Sequence, residues 1–141
     1  MTAHDFELFP SVSDEEKRKS LQELEGQDWG EGDYPSYLVR TCHALRRKPL
    51  RDFTVEDLRI MIGQNFSLDY LVPLAIEQLR NDPFAAGDFY PGDLLGCVLG
   101  RVKPGFWQKR PDLRHAVEGI IALIPAFPEI LRKDLSVFQQ R

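Results

Sequence analysis

Leu50-Arg51-Asp52-Phe53-Thr54-Val55-Glu56-Asp57-Leu58-Arg59-Ile60-Met61-Ile62-Gly63-Gln64-Asn65 is the stretch on which the fold class turns. Thr54 suits a helix N-cap, because its hydroxyl accepts from backbone N–H groups of the first turn, and Asp57 stands three positions on, as in a capping box. Val55, Leu58, Met61 and Ile62 then recur at helical spacing and predict one buried face. Gly63 is placed to end the helix with a positive φ. No side chain here forms a chemical motif, so the segment reads as a short buried helix.

The same helical grammar extends in both directions. Ser13-Asp14-Glu15-Glu16 is a helix start with acid in its first turn, and Ser20-x-x-Glu23 is a second capping box, so one helix or two short ones lie there. Gly26 to Pro35 reads as a glycine-rich loop. After Ser36, the residues Tyr37, Leu38, Thr41, Cys42 and Leu45 mark one helical stripe, closed by Lys48-Pro49. Ser67 is the expected cap of the next helix, whose stripe is Leu68, Leu71, Val72, Ala75 and Leu79. Pro73 inside it predicts a kink or a later start. Asn81-Asp82-Pro83 stops that helix.

Pro91 is expected to open a short helix containing Leu94, Leu95, Val98 and Leu99, weakened at Gly96 by roughly 1 kcal/mol against alanine. Gly100 to Pro111 reads as a loop holding Phe106 and Trp107. Asp112 is the expected cap of the cleanest amphipathic stripe, Leu113, Ala116, Val117, Ile120, Ile121 and Ile124. Pro125 and Pro128 break it, and Phe127, Ile130, Leu131, Leu135 and Phe138 carry a last helix.

No sustained period-2 alternation, no Asn-Gly or Asp-Gly hairpin signal, no internal repeat and no low-complexity linker occurs. The expectation is an all-α fold, a single domain over residues 1–141 with about six or seven short helices. Residues 1–12 are either a docked arm or a flexible end.

A chain of 141 residues with 43% hydrophobic content can bury a core without disulfide or metal staples. Its longest apolar run, Val117 to Phe127, is interrupted by Glu118, Gly119 and Pro125, short of the about 20 residues a membrane helix needs. The N-terminus lacks a basic region followed by an apolar stretch, so the expected location is the cytoplasm. Cys42 and Cys97 both lie in apolar periodic stretches and read as reduced core residues. No metal-ligand spacing and no phosphate-binding glycine loop appears, and no cofactor is expected. A net charge of −4 disfavours nucleic acid as a partner and favours a basic protein.

Catalysis finds little support. His4, His43 and His115 are scattered, and His43 shares its helix with Arg40, Arg46 and Arg47. A hydrolase using His43 with Glu56 or Asp57 lacks a nucleophile, so the chain is expected not to be an enzyme. The stronger candidates are two loops that set aromatics beside acids, a composition enriched at protein interfaces. One holds Glu25, Asp28, Trp29, Glu31, Asp33 and Tyr34; the other holds Asp88, Phe89, Tyr90 and Asp93. The bland alternatives are a solvated loop with Trp29 packed on the domain, and a helix-capping loop around Asp88. The basic group Arg40, Arg46, Arg47, Lys48 and Arg51 could pair with the first loop in the same molecule.

Three stretches taken together carry a family likeness: Leu21-Gln22-Glu23-Leu24-Glu25-Gly26-Gln27-Asp28-Trp29-Gly30, the Leu50–Asn65 segment, and Gly87-Asp88-Phe89-Tyr90-Pro91-Gly92-Asp93-Leu94-Leu95. From about Ser20 to about Trp107 the chain resembles the small immunity proteins of bacterial contact-dependent growth inhibition systems, which neutralise a sibling toxin domain. The resemblance implies tight binding to the C-terminal domain of a cognate toxin, often a nuclease with a basic cleft, by blocking its active site. Glu25, Asp28, Trp29, Glu31, Asp33, Tyr34, Asp88, Tyr90 and Asp93 are the expected toxin contacts. A helical adaptor or regulator with another protein partner is the alternative from a different class.

Overall fold

The computed structural model describes residues 11–30 and 36–141. Nine α-helices and one 3-10 turn occur among the described residues, with no strand, and six of the helices have seven residues or more. The all-α expectation is met. Of the expected N-terminal arm, residues 1–10 lie outside the described residues, while Val12 is already buried in the core.

Two separate capping boxes at Ser13/Glu16 and Ser20/Glu23 make two short helices, α1 (Asp14–Lys17) and α2 (Leu21–Glu25). Ser36 Oγ caps α3 (Tyr37–Leu45) at 3.1 Å from Val39 N. A 3-10 turn at Leu50–Asp52 ties back to Lys19, whose carbonyl accepts from Leu50 N at 3.0 Å. α4 (Val55–Gly63) carries the Thr54/Asp57 capping box and buries Leu58, Met61 and Ile62. Gly63 does not supply the positive φ expected of it. That conformation falls on Asn65 (φ 59°) and Ser67 (φ 52°). Asn65 is held there because its side chain bridges Arg101 O at 3.0 Å and Lys103 N at 2.9 Å.

α5 (Leu68–Asn81) starts directly after Ser67 and runs through Pro73, so the start is not delayed. Ser67 makes no cap; its hydroxyl turns to Glu25 instead. α6 (Asp93–Arg101) begins two residues later than Pro91, behind Gly92 at φ 92°, a conformation that favours glycine. The expected loop at 100–111 contains a helix, α7 (Pro104–Lys109), with Pro104 at its first turn and both Phe106 and Trp107 buried. α8 (Pro111–Ala122) starts before Asp112, which pairs with Arg110 at 3.2 Å rather than capping. α9 (Glu129–Gln139) closes the chain.

α6 lies at the centre of the packing, against α9, α4 and α5. Its burial from Asp93 to Leu99 is led by Leu94, Leu95, Val98 and Leu99, all 0% exposed, each such side chain being worth about 1.5–3 kcal/mol. Gly92, Gly96 and Gly100 repeat every four residues and bring α9 onto this helix. A Cβ at Gly96 would stand 2.9 Å from Asp134 Oδ2 and 3.0 Å from Leu131 Cδ2. Glycine at 96 is therefore a packing requirement rather than a weakness. The α8 stripe buries Leu113, Ala116, Val117 and Ile120 as expected, and Cys42 and Cys97 are buried and free. The α3 stripe is only half right: Cys42 and Leu45 go inward, but Tyr37 is 74% and Leu38 40% exposed. Ile130 likewise faces outward on α9. Among the described residues no helix is long and apolar enough to cross a membrane.

Candidate functional site

The first candidate loop is fastened to the C-terminal end of α3. Arg46, only 2% exposed, places its guanidinium 4.2 Å from the centre of the Trp29 ring, donates to Gln27 O at 3.1 Å and pairs with Glu25. Ser67 Oγ also donates to Glu25, at 3.0 and 3.1 Å from its two oxygens. Trp29 packs edge-on against His43 at 4.8 Å and Phe66 at 5.1 Å. Asp28 Oδ1 accepts from Gly30 N at 2.7 Å and lies 3.9 Å from Arg47. The expected pairing of acidic loop with basic helix within one molecule is thus observed. It orients the loop and neutralises Glu25 inside the chain.

A groove of about 430 Å³ opens at the other end of α3, between α4, α6 and α9. Leu38, Phe89 and Tyr90 line it together with Arg59, Arg101 and Asp134. Phe89 is 70% exposed yet held from two sides. Below, the Arg59 guanidinium sits 4.4 Å from the ring centre and is itself locked to Glu56 by hydrogen bonds of 2.7 and 2.5 Å. Behind, Asp93 accepts from Gly87 N at 2.6 Å and Phe89 N at 3.1 Å. The loop cannot place its own N–H groups in a ladder, so a buried carboxylate receives them.

The Arg59 hydrogen bonds hold Glu56 below the usual carboxylate range. Burial pushes Asp134 up, against the lowering influence of Arg101 and Lys133. Burial also raises Tyr90, with Asp134 and Asp93 adding to it. The Cys97 thiol, buried beside the groove, is pushed up to about 11, which leaves it protonated and unreactive at neutral pH.

Of the residues predicted from sequence, Glu25, Asp28 and Trp29 gather at the C-terminal end of α3, and Asp88, Tyr90 and Asp93 at the groove. Asp88 is exposed, Tyr90 half-buried, and Asp93 3% exposed with its oxygens turned inward to the loop. Glu31, Asp33 and Tyr34 lie outside the described residues. Sequence reasoning passed over Leu38, Arg59 and Asp134. The four-residue recurrence of Gly92, Gly96 and Gly100 was the available signal, since it announces a close neighbour along one face of α6. The hydrolase alternative gains nothing: Glu56 serves Arg59, and Asp57 serves Lys48 at 2.6 Å and the Thr54 cap. No group of three or more potential metal ligands occurs among the described residues.

No curated protein matches the chain in sequence. The family model for CDI immunity proteins, where CDI stands for contact-dependent growth inhibition, matches residues 23–117, about two thirds of the chain. That span takes in the Arg46–Glu25–Trp29 assembly, the α4 capping box and the Phe89 loop. The chain therefore belongs to the CDI immunity proteins, the inhibitors of contact-dependent growth inhibition toxins.

Proposed function

We propose that this chain protects its cell by binding the C-terminal domain of a cognate toxin in the cytoplasm and occluding that domain's active site. The toxin domain is proposed to be a nuclease with a basic substrate cleft. The observation that carries this reading is Phe89, an exposed aromatic held rigid by Arg59 and Asp93 beside acidic Asp88. A pre-ordered aromatic loses little conformational freedom on binding, which is the property of an interface hot spot.

Tyr37, 74% exposed, and Leu38 extend the apolar surface on α3. Asp28 and Trp29 on the first loop, and Asp88 and Tyr90 on the second, are proposed as toxin contacts, together with Glu31, Asp33 and Tyr34. Glu25 and Asp93 would contribute by holding their loops in place. A stable interface buries about 1,600 Å² in total, and close charge pairs at a nuclease–inhibitor interface couple by ~1.5–7 kcal/mol. A few carboxylates facing a basic cleft could thus dominate the affinity. The net charge of −4 suits a basic partner and speeds encounter with it.

The test is co-expression of this chain with the toxin domain encoded immediately upstream. Survival and a stable one-to-one complex are expected, along with protection of nucleic acid from degradation. Reversing Asp28, Glu31 and Asp33 together, while leaving Glu25 on Arg46, should weaken that complex. Full binding by the reversed variant would refute the acidic contact.

A further inference from the structure

Asp57 fills the Thr54 capping box, so the start of α4 has no need of the neighbouring Glu56. Glu56 is committed elsewhere. Its Oε1 accepts from Asp88 N at 3.0 Å, 32 positions along the chain. The same carboxylate holds Arg59 through Nε at 2.7 Å and Nη2 at 2.5 Å. Asp93 takes the amides on either side, Gly87 N at 2.6 Å and Phe89 N at 3.1 Å. Three consecutive N–H groups of one loop are thus received by two carboxylates from two different helices. A Cβ at Gly87 would collide with Glu56 Oε1 and stand 3.0 Å from Asp93 Oδ2, so both acids close directly on the backbone there.

The two acids differ in what else they hold. Asp93 fixes the base of the loop, whereas Glu56 ties the loop to the cation beneath its aromatic ring. The Arg59 guanidinium lies 4.4 Å from the centre of the Phe89 ring, and two parallel hydrogen bonds from one carboxylate set its orientation as well as its position. Without Glu56, the acid left beside Arg59 is Asp93, whose Oδ2 lies 3.9 Å from Nε, and the guanidinium would turn toward it. A phenylalanine 70% exposed has little packing of its own to select one rotamer. An interface that finds its anchor already ordered keeps the affinity that ordering would otherwise cost.

We infer that Glu56 is a positioning residue for toxin binding: by holding Asp88 N–H and Arg59 on one carboxylate, it sets the Phe89 ring where the toxin domain meets it. The Glu56 side chain is only 18% exposed, and it acts through the ring. The inference rests on the reading that Phe89 anchors the toxin domain. It adds a residue from outside both candidate loops, one that its place in a first helical turn marks only as an acid favoured by the helix dipole.

A double-mutant cycle reads this role. The full chain is titrated calorimetrically with the toxin domain encoded immediately upstream, as wild type, Glu56→Ala, Phe89→Ala and the double variant, each below its own melting temperature. Phe89→Ala is expected to weaken binding by about thirtyfold or more, as loss of a hot spot does. Glu56→Ala should weaken it by about three- to tenfold when Phe89 is present, and by less than about twofold once Phe89 is alanine. Glu56→Gln, which keeps an acceptor for Asp88 N–H, should fall between Glu56→Ala and wild type. A general loss of fold would weaken both backgrounds alike. Equal losses in the two backgrounds would make Glu56 a direct contact or a plain structural group and overturn the inference, as would a Glu56→Ala chain that binds like wild type. If wild type binds and Phe89→Ala binds equally tightly, the ring is not the anchor, and this inference falls while immunity stands. If the wild-type chain does not bind, the immunity reading falls and takes this one with it. Should Glu56→Ala fail to fold, Glu56→Gln carries the same cycle.

Discussion

Phe89 N donates to Asp93 Oδ2 at 3.1 Å, so a carboxylate only 3% exposed holds in place a phenylalanine that is 70% exposed. The outward aromatic depends on the inward acid. Replacing Asp93 by Ala strands the Gly87 and Phe89 N–H groups, at a cost of about 3 kcal/mol. The melting temperature should fall by roughly 10 °C, and Asp93→Asn, which keeps one acceptor, by less. Unchanged melting in both variants would show that the loop stands without this carboxylate.

The glycines of α6 and α8 separate packing from propensity. Gly100→Ala brings a methyl group against the Asp134 side chain and should destabilise by about 1–3 kcal/mol, despite alanine's better helix propensity. Gly119→Ala on α8 meets nothing within 4 Å and should stabilise by about 0.5–1 kcal/mol. Denaturant midpoints for the two variants should move in opposite directions.

Arg46 joins α3 to the first loop through Glu25, Gln27 and Trp29. Arg46→Ala removes the ring contact and leaves Glu25 with Ser67 alone, for a loss of about 2 kcal/mol. Trp29 fluorescence should shift toward a more solvated signal at temperatures where the rest of the fold persists. A coincident loss of both signals at the wild-type temperature would contradict this role.

The pH response divides by site. Glu56, depressed by its Arg59 hydrogen bonds, contributes stability that is present above its unfolded value and lost as acid titrates it through its lower folded value. Asp134 is raised by burial, so it does the reverse: its contribution is full below the unfolded value and disappears as pH rises through the folded one. Asp134→Asn should therefore make the free chain more stable at neutral pH, with the advantage vanishing in acid. Tyr90, Asp93, Arg101, Lys133 and Cys97 are the titratable or charged groups acting near it. A melting series of wild type and variant across acidic to neutral pH reads the difference directly.

Local hydrogen bonding was legible in the sequence. The boxes at Ser20 and Thr54 need only residues three apart, and both form, while Ser13, read as a helix start, proves to head a third. What the sequence hides is side chains spent over distance. Ser67 reads as a cap, but its hydroxyl goes to Glu25, 42 positions away. Asp93 and Glu25 read as surface acid, because nothing in their neighbourhood reveals the loop amides or the buried arginine that occupy them. Phe106 and Trp107, set among glycine, proline and lysine, read as loop. Their burial depends on Phe138 from the last helix, whose ring meets Trp107 at 5.4 Å.

Asp134 stands on α9, past the last family-matched residue at 117, while Arg59, Tyr90 and Gly96 stand within the match. The groove thus joins a helix outside the match to elements inside it. Leu131 and Phe138 keep α9 seated through its inner face, so the side chain at 134 can be exchanged without unseating the helix. Exchange at 134 would therefore alter the charge of the groove while the helix that carries it stays in place.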